Sequence, residues 1–150
     1  MSELNQVYLV EYKRSAFSRA RPNDPDRDVF NSIRMDDVLG MLIKDIVNSS
    51  GVKTDDINDV ITGCAFQTGE NWLYGGRHPV FLAGLPFNVP SMSLDRACSS
   101  SLNAIAIGGK GIIGSRVFKG KDEAILTWFK NPIKNSLLSS SYTIHKCRSE

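Results

Sequence analysis

Apolar positions along the chain fall into short runs of two kinds, alternating and helical, and the switches between them predict the architecture. Residues 7–12, "VYLVEY", are β-branched and aromatic, as in a strand. Residues 13–32, "KRSAFSRARPNDPDRDVFNS", are polar and contain Pro22 and Pro25, which predicts a long surface loop. From Met35 onward, Val38, Leu39, Leu42, Ile43 and Ile46 recur at the spacing that lines one helix face. Asp36 and Asp37 suit the positive end of that helix, and Gly51 suits a left-handed terminator. The segment "TDDINDV" predicts a turn before a second strand at residues 60–66, "VITGCAF". Residues 78–83 predict a short helix that stops near Gly84, with Pro86 beyond. Residues 89–94, "VPSMSL", predict a third strand, and Leu102, Ile105 and Ile112 mark a following helix. Strand and helix alternating three times predict an α/β layered domain with a mostly parallel sheet.

The pattern divides the chain into a domain at 1–113 and a divergent basic, serine-rich tail at 114–150. In the tail "EAILTWF" is a candidate strand, while "KNPIKNSLLSSSYTIHKCRSE" has no period and predicts poor order. Charge divides at the same place. Residues 1–113 carry 11 basic and 13 acidic side chains, whereas 114–150 carry 7 basic and 3 acidic, within an overall net charge of +2. The tail's charges are scattered and its aromatics few, so neither nucleic acid nor a membrane surface is an expected partner.

A chain of 150 residues with 41% hydrophobic content supports one core. No apolar run approaches the roughly 18 residues of a membrane span, and "MSELNQVYLVEYKR" lacks signal-peptide character, which predicts a cytoplasmic protein. Cys64, Cys98 and Cys147 are too few and too irregular for a disulfide framework. With no CxxC or HExxH and only His145 and Cys147 close together, no metal is expected.

The stretch "DRACSSSLNA" at residues 95–104 puts Cys98 where the alternating pattern gives way to the helical one. If Cys98 is the first or second residue of the helix, unpaired amides and the positive dipole end favour its thiolate, making it a nucleophile. Arg96 adds positive charge nearby, and Ser99, Ser100 and Ser101 are small and able to cap the helix start. The carboxyl ends of strands in open α/β sheets are also where ligands bind. A small residue at such a junction can equally be a packing residue. A rival motif, Gly109-Lys110-Gly111-Ile112-Ile113-Gly114, fits GxGxxG and would mark a dinucleotide-binding turn if a strand preceded it and an acidic residue stood about 20 positions on. Lys130 and Asn131 stand there instead.

The segment "DRACSSSLNAIAIG" resembles the nucleophile segment of the thiolase superfamily. So do "VYLVEYKRSAFSRARP", "MLIKDIVNSSGVKTDDINDVITGCAFQTGEN" and "GGRHPVFLAGLPFNVPSMSLDRACSSSLNAI", in family order over about residues 5–113. The resemblance implies a thiolase-like αβαβα half-domain and assigns Cys98 as the catalytic nucleophile, acylated by a coenzyme A thioester. It implies acyl-CoA acyltransferase activity in lipid metabolism, by Claisen condensation or thiolytic cleavage of a 3-ketoacyl-CoA. Acyl-CoA would be a substrate, not a tightly bound cofactor, and the protein would form a dimer or tetramer.

Asp95, Ser101 and Asn103 stand where thiolases more often have Asn, Gly and Gln. Asp-x-Ala-Cys-Ser-Ser-Ser-Leu is closer to the β-ketoacyl synthases, relatives that take acyl groups from carrier proteins. The family's general-base histidines and second cysteine come from a second half that nothing here matches. His78 and His145 do not correspond to those bases, nor Cys147 to that cysteine. The similarity fades after about Ile113, the pattern expected of a truncated or frame-shifted thiolase half. Such a half would take up at most one acyl group, or be inactive and act only by association.

Overall fold

The computed structural model describes residues 7–72, 74–114, 124–130 and 141–147. In chain order they form β1 (Val7–Arg14), α1 (Met35–Ser50), β2 (Ile57–Cys64), α2 (Arg77–Leu82), β3 (Ser91–Leu94), α3 (Ser100–Gly114), β4 (Ala124–Lys130) and β5 (Ser141–Cys147). Single 3-10 turns lie at Pro25–Arg27, Thr54–Asp56 and Gly69–Asn71. The five strands make one sheet in the order β1-β5-β4-β2-β3. β2 runs parallel to β3 and to β4, while β5 is antiparallel to β4 and to β1. Four strands therefore point one way and only β5 the other, which is the mostly parallel α/β arrangement that the alternating pattern predicts.

Each face of the sheet carries its own core. On β2, Val60 joins Leu39, Ile43 and Ile46 of α1, Val80 of α2, and Leu85 and Val89. The next residue, Ile61, turns to the other face and meets Ala104 and Ile112 of α3, with Val7, Met92, Leu94 and Ile107 packed around them. The period of two in a strand thus separates α1 and α2 from α3 and yields three layers. α1 begins at Met35 and ends on Gly51, which has φ 69° in the left-handed region that glycine tolerates best.

Several boundaries differ from those predicted. β2 begins three residues before the predicted start and ends two before the predicted end, because the turn at Thr54–Asp56 delivers the chain directly into the sheet. In α3 the buried stripe runs through Ala104, Gly108 and Ile112, whereas Leu102 is 68% exposed. The helix is apolar on more than one face, so periodicity alone does not identify its inner stripe. The GxGxxG run lies inside α3, with no strand before it, which removes the dinucleotide-turn reading. The candidate strand in the tail is present as β4, and β5 forms where composition predicts no element; the rest of the tail expected to be poorly ordered lies outside the described residues.

Asp59 on β2 has its carboxyl pushed up by burial, against an opposing hydrogen bond in which the Val60 N–H donates to Oδ1 at 2.7 Å. A carboxyl raised in the folded state holds its proton more tightly there than in the unfolded chain. Its ionisation therefore removes stability as pH rises out of the ordinary carboxylate range. D59N is expected to be more stable than the wild type at neutral pH, with the gap closing as pH falls. Urea midpoints of both proteins across a pH series check this, and a gap independent of pH contradicts it.

Candidate functional site

The candidate site grows from the carboxyl edge of the parallel strands. Gly63 of β2 pairs with Leu94 of β3, and Cys64 with Lys130 of β4, so the three strands end at a common edge. The chain leaves β3 through residues 95–99 and enters α3 at Ser100. Cys98 sits in this turn, exposed to solvent, two residues ahead of the helix. That corrects its predicted place as the first or second helical residue. The cap position belongs to Ser99, whose carbonyl accepts the Asn103 N–H at 2.9 Å.

Short contacts on both sides hold the turn. Ala97, immediately before the cysteine, has φ 49°, in the left-handed region that costs a non-glycine residue free energy. The Asp95 carboxylate accepts the Ala97 N–H at 2.8 Å and, with its other oxygen, the Phe66 N–H at 2.9 Å. Ser100 is fully buried; its Oγ donates to the Ala97 carbonyl at 2.7 Å and accepts the Arg96 N–H at 2.8 Å. The hydroxyl thus bridges backbone groups of both residues that lead into Cys98. The guanidinium of Arg96 donates to Asn103 Oδ1 at 2.9 Å, which lays that side chain along α3.

S100A removes a buried hydroxyl that accepts from the Arg96 N–H and donates to the carbonyl of Ala97, two exposed residues. Its expected cost is about 1 kcal/mol, the usual net worth of a hydrogen bond whose backbone partners can turn to water. A thermal melt measures that loss, and a melting temperature equal to the wild type's would contradict the clasp.

Other sequence candidates are placed elsewhere. Cys64 is buried, with its S–H directed to the carbonyls of Ala65 at 3.6 Å and Asn71 at 3.7 Å, a packing thiol. His145 and Cys147 lie on β5, opposite Leu9 and Val7 of β1. His78 is on α2, and its Nδ1 is 3.3 Å from the carboxylate of Asp36, a fully buried residue at the start of α1 that also pairs with Arg34 at 2.8 Å. Among the described residues no cluster of three His, Cys, Asp or Glu side chains could hold a metal ion, and no helix is long and apolar enough to cross a membrane.

One feature lay beyond the pattern of the sequence. An open cavity of about 380 Å³ is lined by Arg34, Gly69, Trp72, Tyr74, His78 and Phe81. α1 ends a few residues before β2 begins, so its first turn, with Arg34 and Asp36, reaches the same sheet edge as the cysteine turn, on the α1 and α2 face. The signal available in sequence was the aromatic pair Trp72 and Tyr74 inside a glycine-containing loop, residues with no core partner in the periodic pattern.

Residues 7–117 match the family described as thiolase, N-terminal domain. The chain is 34% identical over 110 residues to the beta-ketoadipyl-CoA thiolase of Acinetobacter baylyi, covering 73% of this chain and 26% of that protein. It is 35% identical over 110 residues to the 3-ketoacyl-CoA thiolase of Bacillus subtilis, covering 73% and 27%. With the 3-ketoacyl-CoA thiolase of Colwellia psychrerythraea it shares 32% over 103 residues, covering 68% and 25%. The chain spans about a quarter of the length of these curated relatives. The matched range contains β1 to α3 and the cysteine turn, and the chain belongs to the thiolase family through this N-terminal domain.

Proposed function

We propose that the chain is the nucleophile-bearing part of an acyl-CoA acyltransferase of thiolase type, with Cys98 as the residue that accepts the acyl group. The observation that carries this reading is the placement of Cys98, exposed on a clasped turn at the carboxyl edge of the sheet, within the family match. In the first half-reaction the sulfur of Cys98 attacks the thioester carbonyl carbon. A carbon–sulfur bond forms to the enzyme, the bond to coenzyme A breaks, and coenzyme A leaves with the proton that Cys98 gives up. The amides of Arg96, Ala97, Ser99 and Ser100 are committed within the turn, so in this reading donors for the oxyanion come from elsewhere, in part from the second half that the family resemblance implies.

Carbon–carbon bond formation or its reverse then needs a proton acceptor for the second acyl-CoA. By the family resemblance that acceptor is a histidine, acting with a second cysteine, supplied from outside this chain. The 150 residues alone therefore take up one acyl group and do not turn over. In this reading the protein acts in the cytoplasm as a homo-oligomer, with acyl-CoA as its partner and no tightly bound cofactor.

Incubation of the chain with acetyl-CoA, followed by intact mass and peptide mapping, tests the proposal. A gain of one acetyl group, located on Cys98, is expected. Acetylation from an acyl carrier protein thioester but not from acetyl-CoA would favour the β-ketoacyl synthase reading suggested by Asp95-Arg96-Ala97-Cys98-Ser99-Ser100-Ser101-Leu102. No acetyl group from either donor would sink both.

A further inference from the structure

We propose that Asp95 is a positioning residue for Cys98, its carboxylate acting as a two-pronged acceptor that locks the cysteine turn to the end of β2. The inference rests on the reading of Cys98 as the acyl-accepting nucleophile. It begins from two strained residues that are far apart in sequence. Phe66, just beyond β2, has φ 61°, and Ala97, just before the cysteine, has φ 49°. Neither is glycine, so each left-handed backbone persists only where its surroundings over-determine it. The same carboxylate binds both: Oδ1 takes the Ala97 N–H and Oδ2 the Phe66 N–H.

The chemistry of the pair is specific. Two backbone N–H groups converge on one side chain, and among side chains of this size only a carboxylate offers an acceptor to each. Asparagine keeps one acceptor and turns an NH₂ group toward the other N–H. Neighbouring contacts run in the same sense: Ser93 Oγ and Gln67 Oε1 lie 2.7 Å apart, a second tie between β3 and the loop after β2. On the other side of the turn Ser100 fixes the Ala97 carbonyl. The backbone of Ala97 is therefore gripped at its N–H by Asp95 and at its C=O by Ser100, and the direction of the Cys98 side chain follows from that grip.

The test compares D95N with the wild type in three measurements on the full chain: the rate at which acetyl-CoA acetylates Cys98, alkylation of the buried Cys64, and amide hydrogen exchange. D95N is expected to acetylate at least about tenfold more slowly, the scale on which a small misplacement of a reacting group is felt. Cys64 stays protected, and exchange quickens only in peptides covering residues 66–67 and 96–99. A purely structural role would expose Cys64 along with any loss of rate, and that result overturns the inference, as does acetylation within about twofold of wild type. The double variant D95N/A97G puts glycine where the left-handed backbone is needed and is expected to recover to within about threefold of wild type. A double variant as slow as D95N overturns the inference even if the single variant folds poorly. If the wild-type chain takes up no acetyl group, the reading of Cys98 falls. The clasp is then judged on exchange alone, and unchanged exchange in D95N overturns it too.

Discussion

Replacing Cys98 with serine is expected to abolish acetyl uptake from acetyl-CoA while leaving the fold intact. The sulfur is exposed and lies outside every helix and strand, so the change should move stability by no more than about 0.5 kcal/mol, as surface substitutions do. The serine hydroxyl, by contrast, is a far weaker nucleophile than a thiol unless a base activates it, and the rate should fall by roughly two orders of magnitude or more. Cys64 supplies the internal control. Its side chain is fully buried, so a thiol reagent added to the native chain should modify Cys98 readily and reach Cys64 only after denaturation. Acetylation of C98S at close to the wild-type rate, or acetylation that maps to Cys64, would remove the nucleophile assignment. A C98S protein that melts well below the wild type would show instead that the thiol contributes packing.

The order of elements could be read in the sequence because each run carries its own period. α1 is the clearest case, since Val38, Leu39, Ile43 and Ile46 all face the core and Gly51 ends the helix as its position predicts. β5 was harder to read, because the alternation in "SYTIHKC" lasts only from Ser141 to His145 and follows a serine-rich stretch that reads as a loop, and it is completed as a strand by pairing with β1 and β4 on either side. At the site the sequence located Cys98 at the strand-to-helix junction but placed it inside the helix. Position in a turn depends on the left-handed backbone at Ala97, and alanine gives no sign of that. The clasp was equally hidden. Asp95 and Phe66 are 29 residues apart, and only the parallel pairing of β2 with β3 brings their segments together.

The seating of α3 on β2 leaves no room for a side chain at Gly63, beside the site. A Cβ built at Gly63 would lie 2.5 Å from the carbonyl carbon of Ser100 and 2.6 Å from the Ser100 oxygen and the Ser101 nitrogen. All three are backbone atoms, so no rotamer change relieves the clash, and β2 and the first turn of α3 must separate. G63A is therefore expected to cost about 3 kcal/mol, at the upper end of overpacking penalties. It should also slow Cys98 acetylation, because the displaced segment is the one whose Ser100 hydroxyl grips the turn. Gly109, on the same helix, provides the contrast. Its added Cβ would find only the Val7 side chain at 4.0 Å, ordinary contact, and alanine favours helix over glycine by up to about 1 kcal/mol. G109A should accordingly raise the melting temperature and leave acetylation unchanged, while G63A lowers both. If the two substitutions behave alike, the close seating of α3 on β2 is wrong, and with it the geometry that presents Cys98 at the sheet edge.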